Sequence, residues 1–422
     1  MKKLFVSVGL IAAGTAGLQA AYAPDLNPMS ASKIWSVEGT LRGFYDNNYT
    51  TAPSSKGSFG FEVSPQVDLN VALQQTELGM RYAYGLYFYQ ERANLAGQNP
   101  IDQTHEFDFW VDHAFTERWQ GKVQDSFVVG QEPELLDPNT SVPTRIEGNN
   151  IRNTGTLTLD TIWTRLLSTQ LSYGNTVFDY QNNNGTAALP SRAGLLNRVE
   201  QTISLDLQWA ISPQTMAFVG GELGWVNYTA DEPIANGPTG PLFSDARDNR
   251  SYIAYVGAQH TFFANLNFTG KVGIQYTDAY NALSGGTSLN PYADLSLIYT
   301  YLPGSYVQAG FTQSENTSDV ADPNASGQTT LFTESSTIYL SLNQKLTSKI
   351  MGSGIARWQH SVYNGGAFDN KADDYYSFGV NLSYTFNPHF SAEAGYNFDD
   401  VQSQVGNQYT RSRVYLGVTA AY

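Results

Sequence analysis

The chain has 422 residues, no cysteine, and a formal net charge of −15. The absence of cysteine excludes a disulfide framework and a thiolate metal site, and the acidic balance argues against nucleic acid or anionic lipid as partners. Mean hydropathy is slightly negative, as expected of a membrane barrel whose strands show only every second residue to lipid.

In chain order, Lys2 and Lys3 precede an apolar run from Leu4 to Ala13, followed by small residues up to Ala20. This pattern reads as a secretory signal peptide cut after Ala20, residues 1–20. The apolar run is shorter than the roughly 20 residues a spanning helix needs, and no second run reaches that length. Residues 21–33 form a leader too short for a plug domain or a peptidoglycan-binding domain. Residues 34–422 are expected to form one domain.

Within that domain, short turns and long polar loops alternate. The first strand is expected over Ile34–Tyr45, with a loop over Asn47–Gly57. Ser58–Val71 and Thr76–Phe88 follow, joined by a tight turn. The loop Gln90–Gln103 leads to Thr104–Phe115 and Trp119–Val129. The longest loop, Gly130–Arg152, precedes Asn153–Trp163 and Leu166–Tyr180. Next come Arg198–Trp209 and Thr215–Tyr228, then a proline-containing loop over Thr229–Asn249. Ser251–Phe262, Leu266–Thr277, Tyr292–Tyr301 and Tyr306–Thr312 continue the alternation. Ser335–Asn343, Lys349–Ser361, Tyr375–Phe386 and Phe390–Asp399 lead to the terminal strand. Gly, Pro, Asn, Ser and Asp crowd the connections, as turn chemistry requires. The total is eighteen strands. The fifth, ninth, tenth, thirteenth and fifteenth have weaker alternation, so sixteen would also fit.

The terminal strand places Val414, Leu416, Val418, Ala420 and Tyr422 on one face and Arg411, Arg413, Tyr415, Gly417 and Thr419 on the other. It resembles the C-terminal strand of bacterial outer-membrane β-barrels. That likeness implies recognition by the outer-membrane insertion machinery. The clear strands suit the about 9–11 residues of a tilted spanning strand. Several of their apolar faces carry no Asp, Glu, Lys or Arg. The 27 Tyr, 22 Phe and 7 Trp suit aromatic girdles at two interfaces. A soluble sandwich, propeller or adhesin shares the alternation, but not the terminal aromatic strand or the alternating connection lengths. The expected fold is therefore all-β: a transmembrane antiparallel up-and-down barrel with short periplasmic turns and long extracellular loops, in the outer membrane of a Gram-negative bacterium.

The stretch from Thr104 to Leu136 contains an Asp-bearing strand followed by Glu132-Pro133-Glu134, and the closing strand reads Tyr409-x-Arg411-x-Arg413-x-x-x-Gly417. These features resemble the β-barrel porin 2 family over most of the mature chain. The resemblance implies a β-barrel and does not specify a solute.

The face assigned to the lumen collects Glu38, Glu62, Asp68, Glu77, Glu106, Asp108, Asp112, Glu200, Asp206, Asp294 and Glu393. Against these acids stand Arg42, Arg81, Lys122, Lys271, Arg357, Arg411 and Arg413. Charged rings in a pore set ion preference, so the acidic excess predicts a modest cation preference. By likeness to trimeric general porins, whose third loop folds inward, Glu132, Glu134, Asp137, Arg145, Glu147 and Arg152 are candidate constriction residues. Cross-strand pairing and an ordinary surface loop are the blander readings of these two groups.

Enzyme motifs are poor. His105-Glu106 lacks the second histidine of H-E-x-x-H and lies on a strand. No G-x-S-x-G occurs. The acidic loops 322–326 and 369–374 lack EF-hand spacing. No cofactor or metal is expected. The expected function is passive diffusion of small polar solutes or ions, with a structural or adhesive barrel blocked by its loops as the alternative. Outer-membrane lipid is the expected partner of the aromatic faces, which would serve a homo-oligomer interface equally well.

Overall fold

The computed structural model describes residues 33–130 and 149–422, apart from 96, 184, 239, 284, 285 and 407. The signal peptide, the leader up to residue 32 and the candidates Glu132, Glu134, Asp137, Arg145 and Glu147 lie outside the described residues.

The first strands are β1 (Trp35–Asp46), β2 (Ser58–Ala72), β3 (Thr76–Tyr89), β4 (Ile101–Ala114), β5 (Trp119–Gly130) and β6 (Asn150–Ile162). They continue as β7 (Leu167–Tyr180), β8 (Arg198–Ser212) and β9 (Thr215–Tyr228). A small hairpin, β10 (Pro233–Gly237) and β11 (Gly240–Phe243), sits in the next loop. The wall resumes with β12 (Asn249–Phe263), β13 (Leu266–Asp278), β14 (Thr287–Leu302), β15 (Ser305–Thr317) and β16 (Thr330–Lys345). It ends with β17 (Ile350–Gly365), β18 (Ala372–Asn387), β19 (Phe390–Ser403) and β20 (Tyr409–Ala421).

Eighteen of these strands form one antiparallel sheet. β9 pairs with β12 across the hairpin loop. β1 pairs with both β2 and β20, which closes the sheet into a barrel. Closure leaves no edge, so no ladder group is exposed to hydrocarbon. The ladder extends to the last residue, since Tyr422 and Val37 exchange backbone bonds of 2.9 and 3.1 Å.

The short turns share one local device. Thr116, Thr164 and Thr347 each accept two backbone N–H groups with their hydroxyls. Asn387 does the same with its amide oxygen, from His389 and Phe390. These side chains supply the hydrogen bonds that a reversing backbone loses. At Pro303-Gly304, Gly304 takes φ +77°, a conformation only glycine adopts without strain.

The convex face shows the order expected in a membrane. Along β18, exposed Tyr376 and Phe378 lie toward the long loops, Val380 and Leu382 in the middle, and Tyr384 and Phe386 toward the turns. This is an aliphatic band between two aromatic girdles. Trp209, Trp163 and Phe390 continue the turn-side girdle, and Tyr45, Phe59 and Trp358 the loop-side one.

Three expectations need correction. Arg152 is buried on strand β6 and does not belong to the third loop. Strand pairing continues beyond the lipid band, where Arg152 stands opposite Val128 and Phe178. The segment expected as a proline-containing loop after β9 contains hairpin β10–β11. Several strands, notably β14, β15 and β16, are also longer than expected for the same reason.

Candidate functional site

Register places the charged side chains on the face opposite the exposed apolar residues. Glu38, Arg42, Glu62, Asp68, Glu106, Asp108, Asp112, Lys122, Arg357, Arg411 and Arg413 all fall on this concave side. The structure groups them unevenly.

The densest group lies at the closure of the barrel. Arg42 on β1 donates to Glu62 on β2 at 2.8 Å and to Glu393 on β19 at 2.5 Å. To reach Glu393 it crosses β20 at Gly417. A Cβ there would lie 2.7 Å from Arg42 Cγ and 3.1 Å from a Glu393 carboxylate oxygen. The glycine of the closing-strand motif therefore makes room for an ion pair across the seam. Glu393 also accepts from Asn381, which donates to the Tyr415 hydroxyl at 2.8 Å.

The arginines of the same motif converge on Asp46. Arg411 donates twice to one carboxylate oxygen, at 2.8 and 2.6 Å, and Arg413 once at 3.0 Å. Asp46 is fully buried. Arg413 also donates to the Tyr89 hydroxyl and stacks over Phe44. Tyr409, the first residue of the motif, packs with Tyr375 and Val401. Asp46 was not among the sequence candidates, because the apolar alternation of strand one ends at Tyr45.

Next along the wall, Arg81 pairs with Glu106 and with Asp108, the latter at 3.0 Å. Asp68 accepts from Gln66 and Ser36. Asp112 accepts from Gln120, and Lys122 lies 3.4 Å from Asp160. Arg357 differs from these bases. It donates to Gln359 at 3.0 Å and has no carboxylate partner among the described residues.

The far wall, β8 to β14, is organised differently. Asp206 accepts from the Tyr255 hydroxyl at 2.6 Å. Lys271 sits over the Tyr255 ring, with its ammonium 3.9 Å from Asp206. Asp294 stands opposite Lys271 in the β13–β14 register, and Glu222 lies on the same concave face of β9. Glu222 was missed at the sequence level, although its parity with Gly220 and Gly224, against exposed Val219 and Leu223, was readable.

The loops at the outer end form a packed group of their own. Arg247 is fully buried, stacks over Tyr228 at 4.2 Å and donates to the Ser318 carbonyl at 3.1 Å and the Leu195 carbonyl at 2.5 Å. Burial lowers its pKa from the ordinary arginine value. Ile234, Ala235, Leu242 and Ala321 form a small apolar core beside it. The loops after β7, β9 and β15 are thus tied together by one guanidinium.

The histidines lie apart from these groups. His105, His113 and His260 contact Tyr82, Thr76 and Thr215, respectively, on the convex side. His360 contacts Asp374 at 3.0 Å. Among the described residues, no three His, Asp or Glu side chains are grouped to hold a metal ion.

Comparison with solved structures returns outer-membrane proteins. OpdK of Pseudomonas aeruginosa aligns over 92% of this chain and 99% of its own, with 10% identity and a TM-score of 0.44. OccK9 (OpdG) of the same organism aligns over 92% and 98%, with 11% identity and a TM-score of 0.47. OccAB4 of Acinetobacter baumannii aligns over 94% and 100%, with 13% identity and a TM-score of 0.43. No curated protein sequence matches the chain. A family model does match, over residues 36–422, which is the whole barrel: the chain belongs to the family described as Putative beta-barrel porin 2.

Proposed function

We propose that the barrel is a water-filled channel for passive diffusion of small polar solutes or ions, with a modest cation preference, in the outer membrane of a Gram-negative bacterium. An eighteen-stranded barrel is wide enough to enclose an aqueous lumen. The observation that carries the cation preference is the far wall. There Asp206, Glu222 and Asp294 share a single base, Lys271. A permeating cation meets uncompensated negative charge on that side. Export by the signal peptide at residues 1–20 is part of this reading.

The test is single-channel conductance of the refolded protein in a planar bilayer under a salt gradient. Stable current steps with a cation-selective reversal potential are expected. An anion-selective reversal potential would refute the role given to the far wall. A folded, inserted barrel without conductance would refute the channel.

A second reading, a structural barrel blocked by its loops, is favoured by the packed loop group around Arg247. Arg247→Met separates the two. If the loops seal the lumen, the variant gains conductance that the parent lacks.

A further inference from the structure

Between the two girdles the convex face is free of charge around most of the barrel, with Arg250, Asp278, Asp374 and Asp400 at or beyond the loop-side girdle, but not on β5 to β8. There the register aligns Asp125, Gly155, Asn175 and Gln201 in one row across four strands. On the turn side this row is flanked by exposed Val123, Leu157, Tyr173 and Ile203. On the loop side it is flanked by Phe127, Asn153, Val177 and Val199. Asp125 lies six residues beyond the girdle residue Trp119 along β5. At about 3.3 Å per residue and a tilt near 40°, that places it ~15 Å into an apolar band ~25 Å tall. A carboxylate thus faces lipid near mid-height.

Its bonding within the chain is incomplete for that environment. Asn153 donates to both carboxylate oxygens, at 3.1 and 3.2 Å. Gly155 presents no side chain beside it, and a Cβ there would sit 3.2 Å from Asp125 Oδ2. The carboxylate is therefore uncovered on the Gly155 side. Asn175 has no side-chain hydrogen bond among the described residues, and Gln201 has one long bond of 3.4 Å to Tyr173. Polar groups facing hydrocarbon without partners are costly.

We infer that this row is an interface between two copies of the chain within the membrane. The occupant must lie at the same depth and supply both donors and acceptors. The row is complementary to itself: Asp125 accepts, while Asn175 and Gln201 donate. A two-fold contact brings the carboxylate of one copy against the amides of the other. Gly155 allows close approach, as small residues do at membrane interfaces. The aliphatic bands of β12, β14 and β18 offer no such groups, so a head-to-tail ring has no matching second patch.

The chain lacks cysteine, so a single introduced thiol is a unique label. Asn175→Cys is expected to form a covalent dimer with a short bismaleimide in native outer membranes. Leu297→Cys, on the apolar face of β14, is expected to form none. Native mass spectrometry from bilayer discs should show a dimer for the parent and for Asp125→Asn, which keeps hydrogen-bonding capacity. The Asp125→Leu/Asn175→Leu variant should show a monomer. Heat-dependent electrophoretic mobility checks that this variant still forms a barrel. A parent that is monomeric, with or without bound lipid, overturns the inference. Equal cross-linking at both cysteine positions overturns it as well. Neither result bears on conductance, so failure here is separable from failure of the channel reading.

Discussion

The two sides of the barrel interior use charge for different ends. At the seam, where β20 meets β1, every base is held by acids from neighbouring strands. Arg42 lies between Glu62 and Glu393, and Arg411 and Arg413 share Asp46. On the far wall, Lys271 is shared among Asp206, Glu222 and Asp294, and its approach to Asp206 is a loose 3.9 Å. The seam joins residues from opposite ends of the chain, so its contacts carry the largest loop-closure cost. Directional, mutually satisfied ion pairs fix its register. The far wall joins strands adjacent in sequence and needs no such device. In the channel proposed above, its charge acts on solutes. The lesson is that charge on an inner face is no guide to selectivity until its partners are known.

The largest expected effect breaks the seam. Asp46→Ala removes a buried carboxylate that accepts three charged hydrogen bonds and leaves Arg411 and Arg413 without it. Breaking a buried ion pair by removing one partner costs about 3–5 kcal/mol. Urea unfolding from lipid vesicles measures this, with loss of the heat-modifiable folded species as the qualitative sign. Ion selectivity of the surviving channels should change little. A large selectivity change with unaltered stability would reverse the roles assigned to the two walls.

A smaller effect is expected at Gly417. Valine there brings a Cβ to 2.7 Å from Arg42 Cγ, closer than real Cβ atoms approach, and to a tight 3.1 Å from a Glu393 oxygen, so the ion pair must move or the strand must shift. Overpacking of this kind costs about 1–3 kcal/mol. Arg42→Leu combined with Gly417→Val should recover part of the loss, because the clash and the pair then disappear together. If the double variant is as unstable as the sum of the single ones, Gly417 matters for the backbone and not for the crossing guanidinium.

All eighteen wall strands were legible in the sequence, including those with weak alternation, and the terminal strand was read to the correct face. The reason is physical: each strand must hide one face from water within the lipid band, and that demand writes a period of two. The signal stops where the band stops. Above the band no face meets lipid and the alternation ends, so Asp46 fell just past the expected first strand and Arg152 at the end of the expected third loop, although both are paired strand residues. The same limit shortened the expected β15 at Thr312, whereas its pairing with β16 continues to Thr317. Partnerships were not legible at all. Nothing in the spacing of Arg42 and Glu393 says that a glycine between them lets them touch. Arg247 fell inside a predicted loop, where no periodicity exists to mark it.

The smallest expected effect sharpens the comparison from the other side. Glu222→Gln and Asp294→Asn each remove a far-wall charge and keep the shape of the side chain. A unit charge acting on a permeant ion through about 8 Å of water contributes ~0.5 kcal/mol, or a factor of about two in local ion occupancy. The double variant should therefore lower the cation-to-anion permeability ratio several-fold at low salt, read from the reversal potential. At 1 M salt the Debye length is only about 3 Å, and the difference between parent and variant should nearly vanish. Arg42→Gln is the matched control at the seam. It removes one base that its neighbouring acids hold, so a naive charge count predicts a shift of about half that size in the opposite direction. Selectivity that follows Glu222 and Asp294 but not Arg42 would show that a charge satisfied by its neighbours is invisible to the permeating ion. Opposite shifts of equal size per charge removed would mean that the lumen responds to total charge alone.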